Sequence, residues 1–474
     1  MDLLTDLQIA RPDALLAAFG LFGVLLGAIA GDRVSVAMRL LAAIVLLVAG
    51  VLALGQMASP ATPAFGGLYM ASPFTSFAKG VAYILAAAAL FMSGGFIRRT
   101  GLERYEYALL TVFASLGAGV MLSANNLMTL YMGIETLSLS SYVLAAFSRD
   151  SLRSAEAGLK YFVLGALASG LLLYGSSLVY GYAGGASYEA IAAAPTSVGI
   201  VFGLVLLITG LAFKASAAPF HVWTPDVYEG APSPVVAFFA TGPKIAAVAL
   251  LANVLFVAFG PQLASWTHIV AIIAAASMLI GAFGALRQNN IKRILAYSSI
   301  SNVGFALIGV AAGPESGGGA AVLVYMTLYV VATLGMFGGI LALRRGGQPL
   351  EDVSDLNGMV KHKPAMALGL LVLIFSVAGI PPAVGFWGKV QVFEAGLRAD
   401  MLWLVLVGVV SSVVSLGYYL RLVWAMMIKP AGEPLDKTDW TISLTVLVAS
   451  LLAFPALTIF IQRLLDAAAQ AAGS

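Results

Sequence analysis

Runs of about 20 apolar residues recur along this chain, and that length is what a helix needs to cross the hydrocarbon core of a bilayer. Such runs mark candidate spans at 13–30, 35–55, 75–97, 106–124, 126–147, 157–182, 197–218, 233–258, 267–286, 291–312, 319–343, 365–396, 402–427 and 440–462. Two regions, 197–258 and 365–396, do not divide neatly into simple spans. In lipid every backbone polar group must find an internal partner, so only helices and closed barrels cross. Runs of helical length select the first. The sequence therefore predicts an all-α, polytopic membrane protein of fourteen transmembrane helices. It forms a single transmembrane domain over 1–474, with no linker that would divide it. The composition agrees. Charged residues are 10% of the chain and hydrophobic residues 61%, where a soluble domain carries roughly 25% charge.

Orientation follows from the loops that hold Lys and Arg, which favour the cytoplasmic side. With the N-terminus outside, Arg33, Arg39, Arg98, Arg99, Arg104, Arg149, Arg153, Arg287 and Arg344 are among eighteen basic residues facing inward. Four, Arg11, Lys79, Arg398 and Arg463, face outward. A miscounted span would scramble this bias. Both termini are expected on the periplasmic side of a bacterial inner membrane. The acidic start, Met1 to Asp13, lacks the basic opening of a cleavable signal, so the first helix is expected to be retained.

Several chemistries are excluded. The chain has no cysteine, which removes disulfides, thiolate zinc sites and cysteine-ligated iron–sulfur clusters. The three histidines, His221, His268 and His362, are scattered, which argues against haem or copper. A net charge of +3 without a long basic run gives no case for nucleic acid. No nucleotide-binding loop is present; the GGGAA run at 317–321 lacks the lysine of a phosphate loop.

Against this apolar background a few ionisable residues stand out, and an intramembrane charge is a functional candidate by default. Glu135 lies in the middle of the fifth span; the competing reading is a structural ion pair. Lys214 lies in LITGLAFKASAAPFHVWTPDVYEGAPSP, a helix that runs into Pro219, Pro225, Pro232 and Pro234. Proline breaks the helix ladder, and broken helices mark ion sites in transporters; snorkelling to the interface is the alternative for Lys214. Lys389 lies in IFSVAGIPPAVGFWGKVQVF, after a break at Gly379, Pro381 and Pro382. Lys244 follows Pro243 at a helix start and is either a midplane or an interfacial lysine. Lys160 stands four residues after Glu156 and is equally an ordinary i,i+4 partner. His221 lies in the first break, where it is either a proton relay or a loop hydrogen-bonder. His268 and His362 read as an interfacial and a loop residue.

Each broken helix falls fourth in a block of five spans, approximately 106–258 and 267–427. An odd number of helices per block gives the blocks opposite orientation, the pattern of an inverted repeat. The two breaks match only loosely, because the lysine precedes the prolines in one and follows them in the other. Burial lowers the pKa of a lysine and a nearby carboxylate raises it. A buried lysine whose glutamate moves closer or away is therefore a proton switch.

The string PFHVWTPDVYEGAPSPVVAFFATGPK at 219–244, with MGIETLSLSSYVLAAF, NNIKRILAYSSISNVGF and AGIPPAVGFWGKVQVF, resembles the antiporter-like membrane subunits of respiratory complex I. The wording DVYEGAPSPV is nearest to their N-type branch; the L and M branches differ around the seventh-helix break and the position of Lys244. The resemblance covers most of 106–427. It implies fourteen helices, two inverted five-helix repeats, and discontinuous helices 7 and 12. It implies that Glu135 modulates Lys214, that Lys244 connects, and that Lys389 lies on the side of proton release. It implies partners in the other membrane-arm subunits, the homologous antiporter-like ones included, and no cofactor here, with NADH, FMN, iron–sulfur clusters and quinone held by other subunits. A cation/proton antiporter of the same superfamily is the alternative function.

Overall fold

The computed structural model describes residues 3–473. Helices dominate, as expected. After a short α1 (Leu3–Ile9), α2 (Arg11–Ala30) and α3 (Ser35–Gly55) form an antiparallel pair. The turn between them is made at Gly31, whose φ of 61° suits a residue without Cβ. A two-stranded hairpin, β1 (Thr62–Ala64) and β2 (Tyr69–Ala71), leads into α4 (Pro73–Arg99), which opens with a Ser72/Thr75 capping box.

The first block follows: α5 (Tyr105–Leu122), α6 (Leu127–Ala145), α7 (Leu152–Ala183), a short α8 (Tyr188–Ala193), α9 (Val198–Ala215), α10 (Trp223–Gly230), α11 (Ser233–Phe239) and α12 (Gly242–Val257). The second has α13 (Leu263–Leu286), α14 (Ile291–Ala312) and α15 (Gly318–Leu341), then a small hairpin, β3 (Arg344–Arg345) and β4 (Gln348–Pro349). It continues with α16 (Met359–His362), α17 (Pro364–Ala378), α18 (Gly385–Arg398) and α19 (Leu402–Met427). The chain closes with α20 (Trp440–Leu451) and α21 (Leu457–Ala472).

All fourteen expected spans are occupied by helix. By length and apolarity alone, ten helical runs among the described residues qualify as membrane spans, or eleven if α20 and α21, bent by 80°, form one. The difference has physical causes. The run Arg11–Ala58 passes as one although α2 and α3 pack on each other. Helix α6 is diluted by Glu135 and its hydroxyl residues, and α17 stops after 15 residues at a break.

Helices α14, α15 and the α11–α12 pair form the centre and are almost wholly buried. Because α12 carries Lys244, that lysine is placed in the heart of the bundle. Small residues allow the close approaches that hold lipid-soluble helices together. A Cβ on Gly117 would fall against the backbone of α6, and one on Gly281 against the backbone of α14. Leu, Val and Met side chains exposed on α2, α3, α6, α7 and α19 face the bilayer or neighbouring subunits.

Candidate functional site

Two interrupted helices organise the interior. The first interruption separates α9 from α10. Ser216 caps α9 in the left-handed region at φ 65°, its N–H turned back to Ala212 and Phe213. The second separates α17 from α18, and Gly379 caps α17 at φ 79°, its N–H turned back to Phe375 and Ser376. A cis X–Pro bond follows each cap at the same interval, ending at Pro219 and at Pro382.

A broken helix frees backbone groups that must be satisfied within the protein. In the first break the Ala218 N–H donates to Ser277 Oγ at 2.8 Å, and Trp223 Nε1 donates to the Phe213 carbonyl at 3.1 Å. The Ala215 carbonyl accepts from Lys244 Nζ at 3.2 Å. In the second break the Ala378 carbonyl accepts from Lys389 Nζ at 2.7 Å, and Lys389 also donates to Ser412 Oγ at 2.7 Å. Ala215 and Ala378 each precede the left-handed cap. Two lysines from different places in the chain thus hold equivalent carbonyls at the negative ends of two half-helices, where a cation is stabilised.

Lys244 and Lys389 are 2% and 5% exposed, and among the described residues no carboxylate pairs with either. Aromatic rings supply the rest of their surroundings. Lys244 Nζ lies 6.0 Å from the Trp223 ring centre and 5.9 Å from that of Tyr228; Lys389 Nζ lies 4.6 Å from Phe305. Such rings attract a desolvated cation.

Lys214 sits on the last turn of α9 with its Nζ buried and without a hydrogen-bond partner. It lies 5.5 Å from the Tyr142 ring centre and 5.7 Å from that of Tyr161. Tyr161 stacks on Trp223 at 4.3 Å. One aromatic pair therefore borders both Lys214 and Lys244. Glu135, on α6, is within electrostatic reach of Lys214. Its carboxylate accepts from Ser169 Oγ on α7, so Glu135 is held near the lysine without bonding to it. Lys244 and Lys389 are thus buried, and Glu135 and Lys214 are half-buried, with the Lys214 ammonium inside the bundle.

The other two candidates are placed differently. His221 lies in the first break, half-buried, with Nδ1 buried and unpartnered. Lys160 faces a charged cavity at one rim of the bundle. It pairs with Glu156 at 2.7 Å, the helix partner expected from spacing, and with Asp226 on α10 at 2.8 Å. Arg293 joins Asp226 and Glu229 at 2.8 Å each. Lys160 is therefore a member of a partly exposed network and not of the interior row.

Sequence reasoning missed three things. It passed over Asp226. That residue stands ten positions after the cap at Ser216, as Lys389 stands ten after Gly379, so the two breaks match more closely than the lysines alone suggested. It assigned Lys79 to the outward loops, whereas Lys79 is buried and bonds Asp13 at 2.6 Å, Tyr69 at 2.8 Å and Ser123 at 2.7 Å. Asp13 also accepts from Tyr69 and Tyr83. Asp13 and Lys79 sit near the starts of α2 and α4; an apolar-run search places such residues outside. It also overlooked a row of buried hydroxyl and amide groups on α14, α15 and α19.

Comparison with known proteins agrees with this architecture. Residues 124–415 match the family model described as NADH:quinone oxidoreductase/Mrp antiporter, transmembrane. A protein of Hirschia baltica named NADH-quinone oxidoreductase subunit N is 61% identical over 97% of each chain. One from Rhizobium meliloti, named NADH-quinone oxidoreductase subunit N 1, is 47% identical over 91% of this chain and 90% of its own. A chain of respiratory complex I from Thermus thermophilus superposes with a TM-score of 0.84 at 33% identity, over 97% of this chain and 99% of that one. A chain of the Mrp complex from Dietzia shares the fold, with a TM-score of 0.87 at 22% identity over 98% and 97% of the two chains. With 61% identity to such a protein along nearly its whole length, the chain belongs to the NADH-quinone oxidoreductase subunit N family.

Proposed function

We propose that this chain is a proton-translocating membrane-arm subunit of an NADH-quinone oxidoreductase, and that Glu135, Lys214, Lys244 and Lys389 form its proton relay. The observation that carries the reading is the shared seat of Lys244 and Lys389 on the carbonyls of two broken helices. A lysine held by neutral groups alone, a carbonyl dipole and aromatic rings with a Ser412 hydroxyl added at Lys389, has no fixed counter-charge. It binds or releases its proton according to the charge that approaches it. Lys214, with no hydrogen-bond partner and Glu135 nearby, is the station most open to such control. Moving one charge against 100 mV costs about 2.3 kcal/mol, and remote NADH-to-quinone electron transfer supplies it. NADH, FMN, iron–sulfur clusters and quinone are then held by other subunits.

The two helix blocks, approximately 106–258 and 267–427, act as inverted repeats about the relay. The matching ten-residue intervals from the left-handed caps, Ser216 to Asp226 and Gly379 to Lys389, support this. The chain lies in a bacterial inner membrane with both termini on the periplasmic side, as the distribution of basic loops supports. Lys160 and His221 take auxiliary places, Lys160 at the rim cavity and His221 in the first break.

The test is Lys214→Ala in native membranes, with assembly verified by the size of the intact complex. NADH-driven quinone reduction and proton uptake should fall together. Rates that stay near wild type in an assembled complex would remove Lys214 from the relay. Cation-driven proton exchange without any NADH-linked activity would make the chain an antiporter.

A further inference from the structure

Between α17 and α20 an open groove of about 890 Å³ runs along the outside of the bundle. Met366, Leu368 and Val372 form one wall, and Val446, Leu447 and Phe454 form the other. Leu368, Leu447 and Phe454 are 52%, 54% and 40% exposed. Ser443 and Ser450 also border the groove, but their hydroxyls donate locally to the Asp439 and Leu447 carbonyls, at 3.3 and 2.9 Å. From Pro364 to Val372 the first wall descends ~12 Å, at about 1.5 Å per residue. Along that length the groove presents hydrocarbon and, among the described residues, no free polar side chain.

The mouth of the groove is charged. His362 and Lys363, just before α17, meet Asp436 and Lys437, just before α20. Lys363 donates to the Thr438 hydroxyl. Among the described residues neither Lys363 nor Lys437 pairs with a carboxylate. Asp436 accepts from the Gly346 and Gly347 N–H groups at 3.1 and 2.8 Å, so the turn between β3 and β4 already engages its carboxylate. His362 Nε2 donates to the Gly432 carbonyl at 3.0 Å. Two lysines therefore stand at the mouth against one engaged acid. Trp440, the first residue of α20, is 68% exposed beside them. Trp collects at the headgroup level of a bilayer, which puts the mouth at the membrane surface and the apolar walls in hydrocarbon.

We propose that this groove binds an anionic phospholipid, its phosphate met by Lys363 and Lys437 and an acyl chain laid along α17 and α20. Charge selects the headgroup, since basic residues at the membrane surface attract anionic lipids. The walls select the chain. A neighbouring helix is held in lipid by small residues and shared hydrogen bonds. Gly369, the one glycine of the walls, already takes Val446 against it, where a Cβ would stand 3.0 Å from Val446 Cγ1. What remains is branched and aromatic, the surface a flexible chain covers. The site stands independently of the proton relay. Helix α17 is also the half-helix whose last carbonyl holds Lys389, so a bound lipid lies against the second break.

The experiment uses the whole complex in phosphatidylcholine liposomes, with assembly verified by size. A trace of phosphatidylglycerol carrying a photoreactive group on one acyl chain is added, and labelled peptides are located by mass spectrometry. Label is expected on the peptides that hold Met366 to Val372 and Val446 to Phe454. Unlabelled phosphatidylglycerol should displace it at a several-fold lower mole fraction than added phosphatidylcholine does. Lys363→Gln with Lys437→Gln should cut the labelling several-fold. Should that double variant not assemble, Lys437→Gln alone, at an exposed side chain, tests the same point. No label on these peptides in an assembled wild-type complex overturns the site and leaves a neighbouring subunit as the occupant. Equal labelling by a phosphatidylcholine analogue of the same design overturns the recognition of an anionic headgroup and leaves only unselective bilayer lipid. Wild-type labelling in an assembled charge variant overturns the assignment of the phosphate to the two lysines, and the proposal with it.

Discussion

The ammonium of Lys389 donates to the Ala378 carbonyl at 2.7 Å, and Ala378 is the last helical residue before the left-handed cap at Gly379. Lys244 makes the same contact with Ala215, at 3.2 Å, before the cap at Ser216. A half-helix C-terminus offers a partial negative charge without a titrating group. It holds a lysine in place and leaves its proton free to respond to other charges.

Replacing Lys389 by Met keeps most of the aliphatic stem and removes the ammonium. Coupled proton uptake should fall ~100-fold or more in an assembled complex, at the lower edge of what loss of a proton-transfer group costs. Lys389→Arg should not restore it, because guanidinium keeps its proton at all working pH values. Parallel rates of NADH oxidation and proton uptake in membrane vesicles check this; full activity in Lys389→Met would take the residue out of the relay.

The Gly379 position should tolerate no side chain. Its φ is +79°, which costs an L-residue roughly 1–2 kcal/mol. A Cβ there would also stand 2.7 Å from Lys389 Cδ. Gly379→Ala should therefore reduce coupled turnover and lower the thermal stability of the purified complex. Ser216→Gly, at the matching cap, relieves the same strain and should be neutral or slightly stabilising. A melting profile of each variant decides.

Asp13 and Lys79 are a fully bonded buried pair, with every Lys79 proton directed at an acceptor. Removing one partner strands the other charge, at about 3–5 kcal/mol. Lys79→Met or Asp13→Asn alone should impair assembly. The double variant should recover much of the loss, because replacing both members of a buried pair is often near neutral. A double variant that assembles no better than the singles would show that the pair does more than balance charge.

Asp226 bonds Lys160 and Arg293 at the rim cavity, where all three side chains are between 27% and 42% exposed. Pairs of that exposure contribute up to about 1 kcal/mol, so Asp226→Asn should leave stability nearly unchanged. Its effect on coupled turnover should be smaller than that of Lys214→Ala and should shrink further as salt is raised, since exposed charges are screened. Turnover measured at low and high ionic strength tests both parts.

Much of this protein was legible in the chain itself. The period and length of the apolar runs require helices in lipid, because no other local structure satisfies the backbone there. An isolated Glu135, Lys214, Lys244 or Lys389 in such a run costs too much to be incidental, so the interior row announced itself. The prolines after Lys214 and before Lys389 marked both breaks.

Tertiary packing decided what those residues meet. Sequence spacing shows that a helix breaks but not which group takes up the freed carbonyl. Lys244 reaches Ala215 from 29 residues away and Ser277 reaches Ala218 from 59. The same holds for Lys79, which stands near a helix start and is buried only because α2, α5 and the β1–β2 hairpin close over it. Asn302, Tyr325 and Tyr419 are unremarkable in three separate apolar helices. They became a hydrogen-bonded row only when α14, α15 and α19 packed together, since an uncharged polar side chain declares no partner until burial obliges it to find one.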